Sequence, residues 1–218
     1  MVPASEAAMF SALRQQMVRS QLRDRGIVDE RVLDAMLRVP RHEFAPERYR
    51  GQAYEDHPLP IGEGQTISQP FIVALMLEAL TIGADDRVLE VGTGSGYVTA
   101  LLAELARQVI SIERHASLAD DARALLAGMG YTNVRVIEGD GAQGFPVCAP
   151  YDAILVSAAA PELPRPLVEQ LAEGGRMIIP VGREDSQQLQ LIHMHDGRPT
   201  IQLRELCRFV PLVSGQGS

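Results

Sequence analysis

The sequence predicts an α/β fold: a doubly wound, mostly parallel sheet, preceded by N-terminal helices and closed by an antiparallel C-terminal hairpin. Three observations carry this reading. Short runs rich in Val, Ile and Leu recur at 87–91, 109–113, 134–138, 153–157 and 176–181, with helical stretches between most of them. Such alternation builds a parallel sheet covered on both faces. Between the first run and the helical stretch 97–106 stands Gly92-Thr93-Gly94-Ser95-Gly96, a turn that lets backbone crowd against a ligand. Near the C-terminus, the runs 188–194 and 201–210 flank Asp196-Gly197, a hairpin signal.

Upstream of the sheet, Met9, Phe10, Leu13, Met17, Val18 and Leu22 recur at helical spacing and predict a first helix over 6–24. Asp29 is a candidate N-cap for a second helix through Val32, Leu33, Met36 and Leu37, which Pro40 ends. Residues 40–70 carry Pro46, Pro58, Pro60, Gly62 and Gly64 and read as irregular; a loop of that length is usually functional. Pro70 suits the first turn of a third helix that carries Ile72, Leu75, Met76 and Ala79 inward. A length of 218 residues fits one domain. It comprises a helical and loop region over 1–80, a βα core over 81–182, and antiparallel strands with a tail over 183–218.

Apolar residues make up 46% of the chain, and no apolar run approaches the roughly 18–20 residues of a membrane span. The first residues lack the basic-then-apolar pattern of a signal peptide. Cys148 and Cys207 have neither disulfide-framework nor metal spacing, so the expectation is a cytoplasmic, metal-free protein with two incidental thiols. The net charge of −8 is uneven. Residues 1–50 hold nine Arg against seven acids (+2), leaving eleven Arg against twenty-one acids (−10) beyond. A negative body disfavours phosphate backbones, so nucleic acid is not an expected partner. The absence of a long apolar run gives the same expectation for a membrane, and the oligomeric state is left open with a monomer favoured.

The glycine turn separates two cofactor classes. A dinucleotide site needs GxGxxG with a helix N-terminus facing an anionic pyrophosphate. Here the third glycine follows two residues after the second, position 97 is Tyr97, and Glu90 stands just before the first glycine. A carboxylate there would repel a pyrophosphate and welcome an ammonium or sulfonium. The loop therefore favours a cationic nucleoside such as S-adenosylmethionine; a plain tight turn that caps the helix is the competing reading.

In a doubly wound sheet, ligands lie across the carboxyl ends of the strands. Glu113 ends the second core strand and could accept both hydroxyls of a ribose, although an NAD enzyme would also place an acid there; a surface pair with Arg114 is its bland reading. Asp140, between Gly139 and Gly141, could accept from an adenine amino group or satisfy its own turn. Small residues, Ser157 through Ala160, leave room at the fourth strand. The loop from Leu59 to Pro70 concentrates amides and hydroxyls before a helix. Ser68 reads either as that helix's N-cap or, with Thr66 and local N–H groups, as a holder of an anionic acceptor; the two are compatible.

With these residues in view, the sequence resembles the protein-L-isoaspartate O-methyltransferases, nearly end to end. The likeness runs through Val39-Pro40-Arg41-His42-Glu43-Phe44, Gly64-Gln65-Thr66-Ile67-Ser68-Gln69-Pro70, Leu89-Glu90-Val91-Gly92-Thr93-Gly94-Ser95-Gly96-Tyr97, Gly139-Asp140-Gly141 and Arg208-Phe209-Val210-Pro211-Leu212. The 66–70 loop and the 208–212 tail are its specific parts. Departures are mild: Phe145 stands where a tryptophan is common, and Val98 where glutamine is.

The resemblance implies a Rossmann-like, S-adenosylmethionine-dependent methyltransferase fold. It implies Ser68 in the active site, Thr66, Ser68, Gln69 and Val210 against the acceptor, and Gln65, Thr66, Ile67, Arg114, Asp140 and Gly141 with Glu113 around the cofactor. To these the loop chemistry adds Glu90, Gly92, Thr93, Gly94, Ser95 and Gly96. The implied reaction methylates the α-carboxylate of L-isoaspartyl residues in aged proteins and peptides, and the ester then closes to a succinimide that hydrolyses partly to aspartate. Such a carboxylate, with a pKa of roughly 3.5, is already ionised, so no general base is needed and His42, His57 and His115 are expected to be structural or exposed. Another carboxylate acceptor, a non-catalytic adaptor, or an NAD-dependent oxidoreductase are the remaining alternatives. Glu90 and the absent glycine at position 97 speak against the last.

Overall fold

A computed structural model describes residues 4–183 and 186–215. Among these residues lie nine strands and six α-helices. The helices are α1 (Ala4–Gln16), α2 (Glu30–Arg38), α3 (Pro70–Leu80), α4 (Tyr97–Leu105), α5 (Ala116–Gly128) and α6 (Arg165–Val168). A two-stranded ribbon, β1 (Leu59–Gly62) with β2 (Gln65–Ile67), stands apart from a seven-stranded sheet. The sheet strands are β3 (Arg87–Val91), β4 (Gln108–Glu113), β5 (Val134–Glu138), β6 (Tyr151–Val156), β7 (Leu171–Arg183), β8 (Ser186–His195) and β9 (Arg198–Cys207).

The order across the sheet is β5-β4-β3-β6-β7-β8-β9. Pairings from β5 through β7 are parallel, and β7–β8 and β8–β9 are antiparallel. The winding therefore reverses between β3 and β6, which opens a crevice at their carboxyl ends. Successive side chains on a strand point to opposite faces, and the core divides accordingly. Val88 and Val109 join the face packed by α2, α3 and α4, with Leu33, Leu77 and Leu101, while Leu89 and Ile110 join the other face with Ile154, Met177 and Ile192. No helix among the described residues is long and apolar enough to cross a membrane.

The N-terminal region follows the expected outline with local differences. The first helix does not run unbroken to residue 24. It widens into a π-turn over Met17–Leu22 and tightens into a 3-10 turn before Gly26, whose φ of 100° reverses the chain. The wider turn suits burial of Met17 and Leu22, five residues apart, on the same side. Asp29 caps α2 as expected, its carboxylate accepting from Arg31 N at 2.9 Å. Residues 40–70 are less irregular than predicted. They hold 3-10 turns at Arg41–Phe44 and Glu47–Gln52 and the β1–β2 ribbon, turned through Glu63 and Gly64 at positive φ.

The C-terminal hairpin turns at Asp196-Gly197 as its sequence indicates, and Glu173 accepts both N–H groups of that turn. The strand expected over 201–210 instead begins at Arg198 and ends at Cys207. Beyond it the chain leaves β8 and crosses to the end of β6, where Ala159 N donates to Val210 O at 2.8 Å and Leu212 N donates to Ala159 O at 2.7 Å.

Candidate active site

The carboxyl ends of β3, β4 and β6, the β2–α3 loop and the tail after β9 enclose one cleft of about 1680 Å³. Each wall follows from local structure. On the β3 side, Gly92 N and Thr93 N both donate to Ile112 O, so the glycine loop folds back over β4. Gly92 and Gly94 take φ of +94° and +54°, and a Cβ on Gly92 would sit 3.4 Å from Ser157 Cβ. Gly141, after β5, approaches closer still: a Cβ there would lie 2.3 Å from Val91 Cγ1. Three strand ends thus converge with no side chain between them, leaving a backbone-lined cradle.

Glu113 is the charged group of that cradle. It is only 4% exposed, and its carboxylate accepts from Gly94 N at 2.9 Å and from His115 N at 3.0 Å. A carboxylate has about four acceptor positions, so about two remain for a ligand diol. The surface pair with Arg114 is not formed; Arg114 lines the cleft separately. The cleft wall includes Gln65, Thr66, Ile67, Ser68, Gln69, Gly92, Thr93, Gly94, Ser95, Glu113, Arg114, Gly141 and Val210.

Three expected contacts do not lie on the wall. Glu90 points beneath the loop, completely buried, its Oε2 accepting from Thr99 Oγ1 at 2.5 Å and Ser111 Oγ at 2.6 Å. Strand parity explains this: Glu90 shares a face with Val88, under α4. Burial pushes its carboxyl up to about 8, against which the two hydroxyl bonds act, so the free side chain holds a proton at neutral pH. Ser111 Oγ in turn meets Thr93 Oγ1 at 2.5 Å, so Glu90 supports the loop from below. Gly96 begins α4 and packs against Ala122 and Leu126 of α5. Asp140 satisfies its own turn, accepting from Ala142 N at 3.0 Å, and also holds Gly215 N at 2.9 Å.

The acceptor side is built by the β2–α3 loop. The N-cap of α3 is Gln69, which makes no side-chain capping bond, so the reading of Ser68 as N-cap is corrected: the helix starts one residue too late for it. Among the described residues the Ser68 hydroxyl donates to nothing within the protein, whereas its carbonyl accepts from Arg41 Nη2 at 2.9 Å. Arg41 is a residue that residue-type reasoning passes over, although it lies in the Val39–Phe44 stretch. It is wholly buried, donates through Nε to Ala53 O at 2.8 Å, and sits 4.9 Å over the Tyr97 ring. Burial lowers its pKa from the ordinary arginine value. The guanidinium therefore joins the acceptor loop to the first residue after the glycine turn.

Gln187 was also missed. It is buried, donates to Phe209 O at 3.1 Å and accepts from Phe209 N at 2.6 Å, which pins the tail across the cleft. Of the histidines, His42 stacks on Phe10 with ring centroids 4.0 Å apart, and burial lowers its pKa. His57 is half-buried, and His115 lines the cleft beside Glu113.

A doubly wound sheet with a glycine cradle, a buried ribose-type carboxylate and no pyrophosphate fingerprint defines an S-adenosylmethionine-dependent methyltransferase. The sequence model for protein-L-isoaspartate(D-aspartate) O-methyltransferase matches residues 13–217. A protein-L-isoaspartate O-methyltransferase of Methanoculleus marisnigri is 57% identical over 205 residues, covering 94% of this chain and 93% of its own. That of Koribacter versatilis is 54% identical over 217 residues, covering 100% and 98%. Among solved structures, a protein-L-isoaspartate O-methyltransferase superposes with a TM-score of 0.85 at 30% identity, over 94% of this chain and 67% of that one. A Plasmodium falciparum protein described with the same activity, solved with S-adenosyl-L-homocysteine, gives 0.81 at 30% identity over 92% and 98%. The chain belongs to the protein-L-isoaspartate(D-aspartate) O-methyltransferase family.

Proposed function

We propose that this cleft methylates the α-carboxylate of L-isoaspartyl residues in aged proteins and peptides, with Ser68 orienting the acceptor and Glu113 holding the cofactor ribose. The observation that carries the reading is the disposition of Ser68. Among the described residues its hydroxyl has no partner, its backbone is anchored by Arg41, and it lines the same cleft as the Glu113 cradle. Bound S-adenosylmethionine supplies an electrophilic methyl group on a sulfonium.

The protein's part is alignment. Glu113 accepts from the ribose hydroxyls with the lone pairs that Gly94 N and His115 N leave free. The loop from Gly92 to Ser95 and Gly141 present backbone to the nucleoside, with Thr93 braced by Ser111 and Glu90. Gln65, Thr66 and Ile67 face both ligands, while Gln69 and Val210 border the acceptor. Ser68 donates one hydrogen bond to the acceptor carboxylate, leaving that carboxylate's other oxygen free to take the methyl group that bound cofactor would supply. Arg41, a buried cation behind Ser68, favours the anionic acceptor. That carboxylate is ionised at neutral pH, so no residue must remove a proton. Alignment of this kind contributes roughly 7–11 kcal/mol to a barrier reduction.

Damaged polypeptides are the acceptor class, and the enzyme acts as a cytoplasmic monomer of one domain. Incubation with methyl-labelled cofactor and an isoaspartyl peptide, followed by mass spectrometry, tests the reading. A base-labile ester on the isoaspartyl residue supports it. Cofactor binding without transfer overturns it.

A further inference from the structure

We infer that the outer edge of β9 is a docking strip for the acceptor polypeptide, taking an extended, apolar client segment as an additional strand of the sheet. The inference rests on the proposed acceptor cleft. β9 is the last strand of its sheet, and among the described residues only β8 pairs with it. Ile201, Leu203 and Leu206 along it are 53%, 59% and 76% exposed.

Their spacing looks wrong for one surface, because alternation would send Leu206 to the face opposite Leu203. The register corrects this. Ile201, Leu203 and Leu206 pair with Ile192, Gln190 and Gln188, positions two apart on β8, so all three share a face. The extra residue is a β-bulge, and Gln188 Nε2 holds it by donating to Arg204 O at 2.9 Å. Edge strands are usually blunted by bulges and charges; here the bulge realigns the apolar side chains instead. Ile192, opposite Ile201, is wholly buried, so at that end the strip continues the sheet's own apolar face, while Leu203 and Leu206 stand opposite the half-buried Gln190 and Gln188.

Two further observations choose the occupant. The strip runs directly into the cleft, since Leu206 and Arg208 line it. Residues 198–208 also carry Arg198, Arg204 and Arg208 against Glu205, a local +2 on a chain of −8. An extended segment with apolar side chains and some acidic ones matches both properties. Strand addition draws its affinity from main-chain hydrogen bonds and so tolerates varied sequences. About five residues, at about 3.3 Å each, reach from Leu206 to Ile201.

The test compares a short isoaspartyl peptide with peptides extended by five apolar residues on either flank, using the full chain. One extension should lower KM about tenfold, with kcat unchanged. Methylating alternate backbone amides of that flank should abolish the gain. Ile201→Glu with Leu203→Glu should also abolish it while leaving the short peptide's kinetics intact. Anisotropy of a fluorescent long peptide reads the same loss of binding without turnover, so the strip can be judged even if no methyl transfer occurs. Equal KM for all lengths, or variants that change only a self-association seen by sedimentation, would overturn the inference and assign the edge to a second copy.

Discussion

Arg41 Nη2 donates to the Ser68 carbonyl at 2.9 Å, and the same guanidinium lies over the ring of Tyr97, where the cofactor loop becomes a helix. One buried side chain thereby sets the spacing of the two halves of the cleft. Replacing Arg41 with Met removes a costly buried charge but also two hydrogen bonds from that charge, each contributing about 1.5–3 kcal/mol. These effects partly offset in stability but not in loop position. Arg41→Met should therefore lower kcat/KM for an isoaspartyl peptide far more than it lowers Tm, with S-adenosylhomocysteine affinity nearly unchanged. Arg41→Lys should recover part of the activity. Parallel loss of Tm and activity, with no recovery by lysine, would count against this role.

Because Gln69 and not Ser68 caps α3, Ser68→Ala should cost no more than about 0.5 kcal/mol of stability. Turnover should nevertheless fall roughly ten- to a hundredfold, since small misplacement of reacting atoms is costly. Melting temperature and single-turnover methylation on the same preparation check this pair. Normal methylation would remove Ser68 from the site.

Glu113→Ala should weaken S-adenosylhomocysteine binding by about 1.5–3 kcal/mol, roughly 10–150-fold, through the lost ribose bonds. Gly94 N and His115 N also lose their acceptor, so the loop should loosen. Calorimetry supplies the dissociation constant, and an unchanged value refutes the ribose assignment.

Glu90 gives a pH signature. Its folded pKa of about 8 lies above the ordinary 4.5, so the folded state binds the extra proton. Stability is therefore highest below the unfolded pKa and is lost as pH rises from about 4.5 to about 8. Glu90→Gln keeps an acceptor for Thr99 and Ser111 and has no proton to lose. Its Tm relative to the native protein should rise between pH 5 and 8.5. Its effect on cofactor affinity should be smaller than that of Glu113→Ala, because the side chain lies off the cleft wall. A Tm difference independent of pH would contradict the raised pKa.

The core strands were legible because both-face burial writes unbroken runs of Val, Ile and Leu, and β3 and β5 end where those runs end. The Asp29 cap and the Asp196-Gly197 turn were legible because each is decided by one or two residues and their immediate backbone. The β1–β2 ribbon was not, since strands of four and three residues containing Pro60 leave too short a pattern. The placement of Glu90 was readable from parity with Val88, but its position beside the glycines drew attention to ligand charge instead. Ser68 missed its cap by one residue, a shift that depends on where Pro70 lets the helix start. Arg41 and Gln187 act through contacts 27 and 22 residues away in sequence, and nothing local marks a buried guanidinium or amide as a brace.

The most direct measurement is methyl transfer to two peptides that differ only in an L-isoaspartyl or an L-aspartyl linkage. The account predicts a base-labile methyl group on the isoaspartyl peptide and background labelling of its twin. Equal labelling of both, or labelling of RNA in place of either, would contradict it.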